Sequence, residues 1–149
     1  MAKVAKVPVI MQMEAVECGA ACLAMILAYH GKWVPLEQLR EECGVSRDGS
    51  KARNMVVVAR AHGLKAQGYR KEPQALRGMV LPAIIHWNFN HFVVLCGFKK
   101  GRAVLNDPAR GRIEVSLEEL DQSFTGIVLA FEKTDQFVPS GKPKSIWQF

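Results

Sequence analysis

Met11-Gln12-Met13-Glu14-Ala15-Val16-Glu17-Cys18-Gly19-Ala20-Ala21-Cys22-Leu23-Ala24-Met25-Ile26-Leu27-Ala28-Tyr29-His30-Gly31 is the stretch that decides how the rest of the chain is read. It reads as an irregular approach followed by a helix that begins at Cys18. Gly19, Ala20 and Ala21 are small, so another molecule can come close to the first turn of that helix. Leu23, Met25, Ile26 and Leu27 make the remainder apolar nearly all round, which is the pattern of a buried helix. His30 and Gly31 end it, the imidazole suited to the last carbonyls and the glycine to a left-handed cap. A cysteine at the mouth of a buried helix sits where the helix dipole favours thiolate over thiol. An ordinary cysteine, with a pKa of about 8.5, is only a few per cent thiolate at neutral pH. The helix supplies ~0.3–2 kcal/mol, so a nucleophile here needs a cationic partner as well, most simply a histidine. The competing reading of Cys18 is a buried structural thiol.

Working outward, a length of 149 residues fits one domain with a real core. No window approaches the ~18 consecutive apolar residues of a membrane span. The N-terminus, Met1 to Ile10, has neither the apolar run nor the cleavage site of a signal peptide, so the expected compartment is the cytoplasm. The four cysteines, at 18, 22, 43 and 96, include no pair with zinc-knuckle spacing, and separate reduced thiols are the simpler reading. The net charge of +6 invites a nucleic-acid partner, but the basic residues are scattered. Their densest groups, Arg47–Lys51–Arg53, Arg70–Lys71, Lys99–Lys100–Arg102 and Arg110–Arg112, lack the interleaved aromatics of a single-strand platform. A solvated basic surface is expected, and no nucleic acid.

Residues 1–10 read as extended. Val34-Pro35 opens a second short helix with Leu36 and Leu39 on its inner face and Gly44 at its end. The turn Asp48-Gly49-Ser50 leads to a third helix, Lys51 to His62, with Ser50 as its N-cap and Gly63 as its stop. Its run Met55-Val56-Val57-Val58 has strand character, and the caps at both ends favour helix. Leu64 to Arg70 is a short strand and Pro73 to Gly78 a helical turn. Strands then follow at Ala83–Trp87, His91–Phe98, Arg102–Asn106, Gly111–Val115 and Gly126–Phe131, with a short helix from the capping box at Ser116 to about Ser123. Helices first and strands after give an α+β fold, with an antiparallel sheet packed on the first helix. Residues 1–134 make the domain, and 135–149, with Val138-Pro139-Ser140-Gly141-Lys142-Pro143-Lys144-Ser145, form a linker-like tail. A phosphate-binding glycine loop is missing.

A reactive Cys18 needs a base. His30 and His62 stand at helix ends, where imidazole serves the carbonyls; His86 and His91 stand near strand starts. Lys99-Lys100-Gly101 fits a three-residue hairpin loop that pairs Phe98 with Arg102 and so Val93 with Asp107. Asp107 becomes the diagonal neighbour of His91, ~7–8 Å away along the backbone and within side-chain reach. An acid there fixes one imidazole nitrogen and leaves the other for the thiol. Asp107 also has a plainer role open to it, starting the turn Asn106-Asp107-Pro108. His86 has no comparable carboxylate and reads as a partly buried strand histidine. An oxyanion hole takes two donors: the Cys18 N–H and a neutral amide just upstream, for which Gln12 stands ready. Trp87, beside His91, is a candidate wall for a narrow substrate channel, or simply a sheet-core tryptophan.

Gln12, then Cys18 to Ile26, then Tyr29-His30-Gly31 resemble the cysteine motif of the double-glycine leader peptidases, the papain-like N-terminal domains of peptidase-containing ABC transporters. His91-Phe92-Val93-Val94-Leu95 resembles that family's histidine motif, and Asn106-Asp107-Pro108-Ala109 with Gly111 its aspartate motif. The resemblance runs from about Pro8 to Phe131, with Glu17 departing where many members have Asp. It implies a papain-like cysteine peptidase fold, and cleavage after a Gly-Gly-type pair at the end of a leader, freeing a bacteriocin or related ribosomal peptide for export. Cys18 would be the nucleophile, His91 the base, Asp107 its orienting acid and Gln12 the oxyanion donor. Neither metal nor cofactor is needed. The implied partners are a precursor peptide with an amphipathic leader helix and, in a full-length protein, the transmembrane and ATP-binding domains of the transporter, on the cytoplasmic side of a bacterial membrane. Those parts are missing from this sequence, so the chain reads as an excised domain or a stand-alone relative. A catalytically silent leader-binding module on the same fold is the alternative, and Cys18, His91 and Asp107 together argue against it.

Overall fold

The computed structural model describes residues 4–44 and 49–143. Its helices are α1 (Cys18–Tyr29), α2 (Leu36–Cys43), α3 (Ala52–Ala61) and α4 (Leu117–Ser123). Its strands are β1 (Leu64–Arg70), β2 (Ala83–Trp87), β3 (His91–Lys99), β4 (Arg102–Asp107), β5 (Gly111–Ser116) and β6 (Phe124–Lys133). The strands form one antiparallel sheet in the order β1-β6-β2-β3-β4-β5, and α1 lies across β3. This is the α+β arrangement expected from the sequence.

α1 is apolar on every side because every side is covered: Ala20 to Leu27 are at most 1% exposed. Its end is made by the backbone. Gly31 is left-handed (φ 106°), its N–H donates to the Ala28 carbonyl, and the Lys32 N–H donates to that of Leu27 at 2.8 Å. The His30 ring, expected to serve those carbonyls, is turned away, with a buried Nε2 that has no hydrogen-bond partner and an edge against Phe137. α3 is helical in spite of its valines, with Met55, Val58 and Ala59 inward. Ser50, the expected N-cap, does not cap it; its hydroxyl is buried and unpartnered, and Lys51 holds the cap position without a side-chain bond. Asp48 and Arg47 lie outside the described residues. Ser116 caps α4 as expected, accepting the Glu119 N–H at 3.1 Å.

The sheet separates two apolar layers. Ile84, Val94, Cys96, Leu129 and Phe131 face the α1 side with Leu23, Met25 and Met55. Ile85, Trp87, Val93, Leu95, Leu105 and Val128 face the other side, under Leu76 and Leu120. Central strand β3 is therefore buried on both faces, which is why its sequence is a continuous apolar run with no alternation.

The β3–β4 hairpin departs from the expected register twice, and the departures cancel. The loop has two residues, Lys100 (φ 50°) and Gly101 (φ 75°), both left-handed as a type I′ turn requires, and it pairs Lys99 with Arg102. A bulge at Cys96 then takes up one residue, so Leu95 faces Leu105 and Val94 faces Asn106. Beyond the bulge the register is the one that the three-residue loop would have given.

The N-terminal residues run as an extended strap along this hairpin. The Ala5 N–H donates to the Cys96 carbonyl, and buried Asn106 donates its side-chain amide to the Val7 carbonyl, both at 2.9 Å. Gly97 allows the approach; a Cβ there would lie 2.9 Å from the Val4 Cα. The segment after β6 is held too. Phe137 is buried, and Ser140 exchanges backbone hydrogen bonds with Gly31 and Trp33. Lys144 and Ser145 lie outside the described residues.

Candidate active site

Cys18 opens α1 behind a short 3-10 turn, Ala15–Glu17, and is 7% exposed. The first residue of β3, His91, and the last of β4, Asp107, meet at the same end of the sheet. His91 Nε2 lies 2.7 Å from Asp107 Oδ1, which leaves Nδ1 as the nitrogen free for the thiol. The diagonal pairing expected between these residues is present. Asp107 also accepts the Ala109 N–H at 2.8 Å and Arg110 Nε at 2.9 Å, so its plainer role in the turn is real as well.

The electrostatics follow from these bonds. Burial works to lower the His91 pKa, but the hydrogen bond to Asp107 and the neighbouring Cys18 outweigh it and push it up to about 9. Burial would raise Asp107, and His91, the Ala109 N–H and Arg110 hold it down to about 2. Burial, then the neighbouring Cys18, raises Cys22 well above the usual range, and burial lifts Cys43 and Cys96 to about 11. None of the four cysteines is in a disulfide.

Gln12 is carried to this end of the sheet by the N-terminal strap. Its N–H donates to the carbonyl of Pro108, the residue after Asp107, at 2.9 Å, and its Oε1 is buried with no partner. Its side chain lines a cleft with Trp87, Asn88, Asn90, His91, Asp107 and Arg110. Trp87 is only 2% exposed; most of it belongs to the apolar layer under the sheet, and one edge borders this cleft. His86 bonds Thr125 Oγ1 at 2.9 Å, and His62, expected near carbonyls, instead meets Glu42 Oε1 at 2.6 Å.

A second depression begins on the other side of Cys18, bordered by Ser50, Ala52, His86, Phe89, Phe92 and Ile127. Through Ala52 and Ile127 it continues into an apolar groove floored by Val56 and Leu129 and rimmed by Arg53, Arg60, Tyr69 and Arg70. Sequence reasoning missed Phe89. It sits in the turn after Trp87 with φ 64° and is 79% exposed. The only signal was the pair of asparagines flanking it. Among the described residues no group of His, Cys, Asp or Glu is placed to hold a metal ion.

Residues 6–136 match the model of the peptidase C39 family. The chain belongs to that family. This C39 peptidase domain is a cysteine peptidase by membership, and its relatives are consistent. It is similar to a double glycine motif protease from an AMS/PCAT transporter, solved in complex with the leader peptide: 64% identity, TM-score 0.86, covering 88% of this chain and 94% of that one. It is 43% identical over 124 residues to the colicin V secretion/processing ATP-binding protein CvaB of Escherichia coli, covering 83% of this chain. It is 41% identical over 133 residues to the probable microcin-H47 secretion/processing ATP-binding protein MchF of the same organism, covering 89%. The C39 domain spans only 18% and 19% of the length of those two proteins. No described helix is long and apolar enough to cross a membrane.

Proposed function

We propose that this domain cuts a leader from a ribosomally made precursor peptide after a Gly-Gly-type pair, and that it does so as part of a peptide exporter, on the cytoplasmic side of the membrane. The observation that carries the reading is the alignment of the Asp107 carboxylate, the His91 ring and the Cys18 thiol at the mouth of α1. With its proton already on His91 Nδ1, Cys18 Sγ attacks the carbonyl carbon of the residue before the scissile bond. The oxyanion that forms accepts hydrogen bonds from the Cys18 N–H and the Gln12 amide. On collapse the C–N bond breaks, His91 donates its proton to the departing amine, and a thioester remains. Water, deprotonated by His91, attacks the thioester and releases the acid and the free thiol. Asp107 holds the imidazole and offsets its charge throughout.

The groove supplies the affinity. Val56, Ile127 and Leu129 offer an apolar floor for one face of a leader helix, and Arg53, Arg60 and Arg70 offer partners for acidic residues on its flanks. The depression between that groove and Cys18 is where the small pair passes, with Phe89 over one side and the Trp87 edge beyond His91 on the other. Incubation with double-glycine precursors, read by mass spectrometry, tests this: one cut, directly after the pair. Cys18→Ala is expected to abolish the cut while leader binding persists. A Cys18→Ala protein that still cleaves removes the thiol from the mechanism, and binding without any cut in the wild type leaves a binding module.

A further inference from the structure

Glu17 is among the few buried charged residues described, 4% exposed, and it directly precedes Cys18. One of its oxygens, Oε1, accepts the backbone N–H groups of both Met13 and Glu14 at 2.8 Å. The other, Oε2, lies 3.3 Å from Arg40 Nη1 on α2, and Arg40 Nη2 reaches Glu14 Oε2 at 3.1 Å. The two N–H groups it gathers are those of the residues immediately after Gln12. On the other side the Gln12 N–H is pinned to the Pro108 carbonyl. Gln12 is therefore held between two clamps, one on the turn that carries Asp107 and one on the residue that carries into Cys18.

The energetics say what the Glu17 clamp is for. Each of these two bonds replaces a bond to water, so its net contribution to stability is modest. What the clamp adds is a fixed path for the strap, which could otherwise cross from Gln12 to Cys18 in many ways. An oxyanion donor contributes only if it is already aimed when the charge develops, and a displacement of ~1 Å removes most of its value.

We propose that Glu17 is a positioning residue that aims the Gln12 amide, with Arg40 steadying it from α2. This rests on the peptidase reading of Cys18, His91 and Gln12. Steady-state cleavage of a double-glycine precursor by Gln12→Ala, Glu17→Met, Glu17→Gln and the double variant Gln12→Ala/Glu17→Met tests it. Glu17→Met fills the same volume without an acceptor, and it is expected to lower kcat about tenfold or more with KM within twofold. Glu17→Gln keeps a carbonyl oxygen for both N–H groups and is expected to recover most of that loss. The double variant is expected to be no slower than Gln12→Ala alone, because a misaimed amide and a missing one are the same defect. Alkylation of Cys18 by iodoacetamide, which develops no oxyanion, is expected to proceed at the wild-type rate in Glu17→Met. Losses that multiply in the double variant, a rise in KM in place of the fall in kcat, or alkylation slowed in step with cleavage would each overturn the proposal. Wild-type cleavage by Cys18→Ala or Gln12→Ala would instead overturn the reading beneath it.

Discussion

Asp107 and His91 form a pair whose two pKa shifts can be checked separately from turnover. His91, held at about 9 against an ordinary 6.5, contributes stability that is complete below pH 6.5 and is lost as pH rises through 9. Asp107, held at about 2 against 3.8, contributes stability that is complete above pH 3.8 and is lost as pH falls through 2. Cleavage should accordingly fall off above pH 9, as the protonated ring that serves the leaving amine disappears. In Asp107→Ala the His91 resonance, followed by NMR, should titrate back toward 6.5. Asp107→Asn should keep part of the activity, since an amide still orients the ring without offsetting its charge, and Asp107→Ala should keep less. Equal, wild-type-like rates in both would remove Asp107 from the site. Phe89 yields a second residue-scale prediction. A bulky side chain at φ 64° costs ~1–3 kcal/mol, and an aromatic that is 79% exposed recovers little of it by burial. Phe89→Gly relieves the strain at the cost of some chain entropy, so its melting temperature should rise while kcat/KM for the precursor falls. A variant that is more stable and equally active would leave Phe89 without a part in the cleft.

At the level of elements, one of the ties between strap and sheet is a buried side-chain amide. Asn106→Ala leaves the Val7 carbonyl without that donor, and a loss of ~1–3 kcal/mol is expected by denaturant titration. Hydrogen exchange should quicken over residues 4–12 before it does in α1. Uniform quickening would mean that the strap is not a separate unit. The sequence made some of these elements easy to read. Gly31 ends α1 and Ser116 starts α4, and local chemistry is enough to place those two ends. The meeting of His91 with Asp107 was legible for a less secure reason. Lys99-Lys100-Gly101 suits a three-residue loop where the chain makes a two-residue one, and the Cys96 bulge, which no local signal announces, restores the register. Ser50 was read as a cap because its residue type suits that position, but packing beneath Gly19 and Met55 took it out of reach. Phe89 was opaque because its surroundings are set by a distant segment, the turn that holds it being fixed by the Asn88 N–H bonding to the Ser123 carbonyl, and Glu17 was opaque in part because Arg40 comes to it from another helix.

For the whole molecule, the proposed function divides chemistry and affinity between two places joined by the depression beside Cys18. Replacing the glycine next to the scissile bond by leucine should therefore lower kcat and leave leader affinity almost unchanged. Replacing apolar residues upstream in the leader by alanine should raise KM and spare kcat. A leucine substrate cut as fast as the glycine one would mean that the passage excludes nothing.

The strap also fixes when, during synthesis, the site can come together. Gln12 and Cys18 are made before the groups that hold the strap in place. Val7 waits for Asn106, 99 residues later, and Gln12 waits for the Pro108 carbonyl. A nascent chain therefore presents Cys18 well before His91, Asp107 or a held Gln12 are there to meet it. On the peptidase reading, Cys18, His91, Asp107 and a held Gln12 come together only once translation has passed the fourth strand.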